Sequence, residues 1–103
     1  MEAYLQTAWG DQWNSVDIDI VRTVIKRIRE GDDDHGAFWV GRVKEEESVL
    51  EVHKDRELIG VFEDEPGTQY KGRGEDWDEV ETLFQMFLSD EMKILKSRLN
   101  RLE

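Results

Sequence analysis

AFWVGRVKEEESVLEVHKDRELIGVFEDEPGTQYK, residues 37–71, holds three short runs rich in β-branched and aromatic side chains. They are Ala37 to Val43, Val49 to His53 and Leu58 to Glu63. Charged links separate them, Lys44-Glu45-Glu46-Glu47 and Lys54-Asp55-Arg56-Glu57. A connection that short joins strands only as an antiparallel hairpin. Alternation puts Leu50 and Val52 on one face and Glu51 and His53 on the other, and it places Trp39 with Ala37 and Gly41. Asp64-Glu65-Pro66-Gly67 is a turn by composition, and Thr68 to Lys71 can return as a fourth strand of the meander.

Outward from this stretch, Ala3 to Trp9 alternates as a strand does, and Gly10-Asp11 reads as a turn. A helix is expected from Ser15. Val21, Val24, Ile25 and Ile28 supply its buried stripe, Asp17 and Asp19 lie at its positive end, and Lys26, Arg27 and Arg29 precede a C-terminal Gly31. The alternating β-branched Val16, Ile18 and Ile20 conflict with helix in the first turn. Gly72-Arg73-Gly74 leads to a second helix, begun by Glu75 or Asp76. Trp77, Val80, Leu83, Phe84, Phe87 and Leu88 share its inner stripe. Leu88, Met92, Leu95, Leu99 and Leu102 then step by four and three, the spacing of a short coiled-coil seam that could serve internal packing or a homodimer. The expected fold is α+β, a single domain over residues 1–103. It has an antiparallel sheet of four to five strands in the order β-α-β-β-β-(β)-α, with its helices on one face.

The 103 residues include 25 acidic and 14 basic side chains, a net charge of −11. That charge repels phosphate backbones and anionic membrane surfaces. The absence of cysteine excludes disulfides, thiol nucleophiles and Cys-based zinc sites. No apolar run reaches the ~20 residues of a membrane span, and residues 1–14 lack the features of a signal peptide, so a cytoplasmic setting is expected. No catalytic constellation is legible: there is no nucleophile elbow, Walker loop or dinucleotide fingerprint. Asp32-Asp33-Asp34-His35 and His53 with Asp55 match neither a calcium loop nor a zinc helix, so neither a metal nor a cofactor is expected.

The acidic excess lies in clusters: Asp32, Asp33 and Asp34; Glu45 to Glu47; Glu63, Asp64 and Glu65; and Glu75 to Glu79. Each alone is ordinarily a solvated turn, but together they form a field that would steer a basic partner. Glu63, Asp64 and Glu65, projecting from a hairpin end, are the preferred contact group with Tyr70 beside them as an aromatic anchor, and Asp32, Asp33 and Asp34 are a second group. Trp13, in a polar segment, is the preferred exposed aromatic anchor. Trp77, on a helical stripe, reads as core.

Residues 50–89, LEVHKDRELIGVFEDEPGTQYKGRGEDWDEVETLFQMFLS, combine four features: a strand ending in Gly60-Val61-Phe62, an acidic Pro-Gly turn with Gln69-Tyr70, a glycine link, and a helix ending in Phe87-Leu88. In this the chain resembles bacterial polymorphic-toxin immunity proteins, the small α+β proteins encoded beside deaminase and nuclease toxins. The resemblance implies a non-enzymatic inhibitor that fills or covers the basic substrate groove of a cognate toxin, its carboxylates standing in for phosphates. The alternatives are an acidic regulatory or adaptor module, including a nucleic-acid-mimic inhibitor, and a small homo-oligomeric structural protein.

Overall fold

The structure is a computed structural model that describes residues 2–31, 36–43 and 46–102. The chain runs β1 (Glu2–Thr7), β2 (Gln12–Trp13), α1 (Ile18–Glu30), β3 (Ala37–Val43), β4 (Glu47–His53), β5 (Glu57–Val61), β6 (Gln69–Arg73), α2 (Trp77–Leu88), α3 (Met92–Ser97) and β7 (Asn100–Leu102). The strands form one antiparallel sheet in the order β2-β1-β3-β4-β5-β6-β7. The fold is α+β as expected, and the five expected strands are β1, β3, β4, β5 and β6. Among the described residues the count of four to five is corrected to seven by a two-residue and a three-residue strand at the edges.

Register explains the packing. Leu5, Val40, Leu50, Gly60 and Tyr70 form one cross-strand row, and Thr7, Phe38, Val52, Leu58 and Gly72 form the next. Both rows lie on the covered face and close one core with Val21, Val24, Ile25 and Ile28 of α1, Val80, Leu83, Phe84 and Phe87 of α2, and Leu95. Phe38 and Phe84 meet with ring centroids 5.0 Å apart. Among the described residues, α1, α2 and α3 all contribute to this core, so the expected one-sided packing holds.

The helix starts follow capping chemistry. α1 begins at Ile18, not Ser15, because the Asp17 carboxylate accepts the Ile20 amide at 3.0 Å. Val16 and Val21 then occupy the N′ and N4 positions of a hydrophobic staple, which resolves the conflict in the first turn. At α2 the Asp76 carboxylate accepts the Glu79 amide at 2.8 Å, and Glu79 Oε1 accepts the Glu75 amide at 3.2 Å. Asp76→Ala is expected to cost about 1 kcal/mol. Denaturant unfolding would read this as a lower midpoint at unchanged slope; an unchanged midpoint would mean the cap contributes nothing.

The continuous C-terminal seam is corrected. Asp90 adopts φ 62°. The Glu91 amide bonds Met86 O at 2.9 Å and the Asp90 amide bonds Phe87 O at 3.4 Å, a Schellman turn that ends α2. Arg42, 4% exposed, reaches across from β3 and donates to Phe87 O and to the Asp90 carboxylate, both at 2.9 Å. The chain then makes the short α3 and turns into β7. Leu95 and Leu99 pack inward, with Leu99 against the positions where Gly60 and Gly72 carry no side chain.

Candidate partner-binding surface

The expected acidic contact group sits at the β5–β6 hairpin end, where much of its charge is used within the chain. Lys96 Nζ lies 2.7 and 2.8 Å from the Asp64 carboxylate oxygens and 2.9 Å from Glu65 Oε2. Burial works against the ammonium, but the hydrogen bonds and charges of Asp64 and Glu65 outweigh it and raise its pKa above the ordinary lysine value. Tyr70 donates to Glu65 Oε2 at 2.5 Å, and its ring meets Phe62 edge-on at 5.3 Å. Tyr70 is only 8% exposed, so it is a core residue and not a projecting anchor. Glu63 is half-buried, its amide bonded to Ser48 Oγ at 3.0 Å. Of the three acids only Asp64 is exposed.

Trp13 is likewise corrected as an exposed anchor. It pairs with Leu5 across β1, which points it to the covered face, where it packs on the core beneath the Arg27 guanidinium at 5.8 Å. The exposed tryptophan is Trp9 (41%), its indole N–H bonded to Asp11 at 2.8 Å. Asp32, Asp33 and Asp34 lie outside the described residues. Trp77 is partly buried and packs on the core, as expected.

The opposite face of the sheet is the more distinctive surface. Among the described residues no helix covers it. Two rows run across it: Tyr4, Gly41, Val49, Val61 and Gln69, then Gln6, Trp39, Glu51, Ile59 and Lys71. Tyr4, Trp39, Val49, Ile59 and Val61 are each half-buried, a contiguous aromatic and aliphatic patch, with Val43 exposed at its margin. Apolar side chains gathered on one uncovered sheet face make it the candidate contact surface.

Its side chains are held in place. The Tyr4 ring lies over Gly41, where an added Cβ would stand 2.2 Å from Tyr4 Cζ, and the Tyr4 hydroxyl donates to Glu47. The Trp39 indole donates to Gln6 Oε1 at 3.0 Å, and His53 Nε2 lies 2.8 Å from Glu51 Oε2. Carboxylates therefore sit beside aromatic rings at two points, Glu47 with Tyr4 and Glu51 with Trp39. The alternation in β3 and β4 shows part of this face in the sequence; the cover of Tyr4 over Gly41 depends on pairing between β1 and β3 and leaves no local signal.

Burial, the hydrogen bond to Glu47 and the Glu47 charge push the Tyr4 pKa from 10.0 up to about 12. The unfolded chain thus loses this proton first, and the stability the neutral phenol contributes below pH 10 is lost as pH rises towards 12. With Tyr70→Phe leaving a single tyrosine, tyrosinate absorbance should show a midpoint near 12, lowered by Glu47→Gln. A midpoint at the ordinary 10 would contradict the contact.

Among the described residues no three His, Asp or Glu side chains gather as metal ligands do, and no helix is long and apolar enough to cross a membrane. No family model, curated protein or solved structure matches the chain.

Proposed function

We propose that this chain is an immunity-type inhibitor that captures a basic toxin domain and silences it by occlusion, with the open sheet face as the docking surface. The observation that carries this reading is that face: an ordered aromatic and aliphatic patch bearing carboxylates, on a chain of net charge −11. Apolar side chains desolvated at the centre of a contact supply affinity, while surrounding charge supplies approach rate and discrimination. Occlusion needs no chemistry from the inhibitor. The hairpin-end acids Glu63, Asp64 and Glu65 fit the rim, where they steer the partner.

The test is co-expression with the product of the neighbouring gene. That product should be toxic alone, harmless with this chain, and recovered with it at a fixed ratio. Glu63→Gln, Asp64→Asn and Glu65→Gln together should slow association at low salt and leave dissociation nearly unchanged. A harmless neighbour, or protection without a complex, would overturn the reading.

A further inference from the structure

The open face also carries a detailed recognition element. Trp39 and Glu51 are direct cross-strand partners on β3 and β4, so their Cβ atoms stand roughly 4.5–5.5 Å apart on one face. Neither side chain is loose. Gln6 fixes the indole through its N–H at 3.0 Å, and His53 fixes the carboxylate at 2.8 Å. Both are incompletely buried, Glu51 with its side chain 32% exposed. An aromatic plane beside an anchored carboxylate matches a planar cation: a guanidinium can stack on the ring while its N–H groups reach the acid.

The rest of the row sets the direction. Ile59 follows Glu51 on β5, and Lys71 follows Ile59 on β6. A cation is repelled at the Lys71 end and attracted at the Trp39–Glu51 end, with an apolar step between them. The Glu47 carboxylate beside Tyr4 adds negative charge on the β1 side.

We infer that Trp39 and Glu51 form a seat for an arginine side chain presented by the partner protein. This rests on the proposed capture of a basic domain and names the group that capture recognises. A compact ammonium lacks the planar stacking surface, so lysine should fill the seat less well.

The experiment is a heteronuclear NMR titration of the full chain with N-acetyl-arginine amide, and in parallel with N-acetyl-lysine amide. The arginine compound should shift the Trp39 indole N–H and the Glu51 and His53 amides, more than the lysine compound does. Glu51→Gln should abolish these shifts while leaving the remaining spectrum folded. Shifts absent, equal for lysine, retained in Glu51→Gln, or centred on residues 63–65 would overturn the seat. With the cognate partner in hand, Glu51→Gln and Trp39→Phe should each weaken binding by roughly 10-fold. Full affinity in both variants, with toxin neutralisation intact, overturns the seat and leaves the neutralisation reading standing. Arginine binding at the seat without any neutralisation overturns only that reading.

Discussion

Arg42→Ala is expected to lower the melting temperature by roughly 12–24 °C, the equivalent of about 3 kcal/mol in a domain of this size. The guanidinium is buried and joins three elements. It extends from the covered face of β3, lies 5.8 Å from the Phe87 ring centroid, and donates to the last turn of α2 and to Asp90. Its removal takes a charged donor from Phe87 O, releases the Asp90 carboxylate, and opens space under the helix end. Asp90 is half exposed in its side chain (51%), so its own half of the pair is screened and worth less. Asp90→Gly should be nearly neutral: it loses the carboxylate but relieves the positive φ. Asp90→Ala should fall between the two. Thermal unfolding of the three variants gives the order directly, and an Arg42→Ala melting temperature within a few degrees of the parent would contradict it.

Gly41→Val should cost about 1–3 kcal/mol and disorganise the open face. The new Cβ would occupy the place of the Tyr4 ring, which must swing off the sheet and release Glu47. Two further readings separate this from simple destabilisation. The Tyr4 titration should fall back towards the ordinary 10.0, and partner affinity should drop by at least ~10-fold in protein that remains folded. Retained affinity with a displaced Tyr4 would remove the β1 side of the face from the interface.

Much of this architecture is legible in the sequence because it is local. The stripe Val21, Val24, Ile25 and Ile28 and the stripe Val80, Leu83, Phe84 and Phe87 mark the two long helices by period alone, and all eight residues are buried. Short charged links forced the hairpins of β3, β4 and β5. The features without a local signal are tertiary. Leu95 and Leu99 keep helical spacing although a turn at Asp90 and a strand at Asn100 separate them from one continuous helix. No glycine marks that turn; an aspartate takes the left-handed position, with Arg42 as its partner. Trp13 sits among polar neighbours, yet a two-residue pairing with β1 turns it to the core side. Tyr70 lies near three acids, and its ring is in the core because its row partner Gly60 leaves room beside Phe62. The candidate surface leaves the least local signal, since its two rows draw on five strands from residue 4 to residue 71.

The open face, and not the hairpin end, is the surface proposed to hold a basic partner. The most direct measurement is surface-binding kinetics of the proposed basic partner, the product of the neighbouring gene, with two variants. One carries Trp39→Phe and Glu51→Gln together; the other carries Glu63→Gln, Asp64→Asn and Glu65→Gln. The face variant should dissociate at least ~10-fold faster, and the hairpin variant should change mainly the association rate, with an effect that fades as salt rises. Parental dissociation from the face variant together with fast dissociation from the hairpin variant would contradict the account.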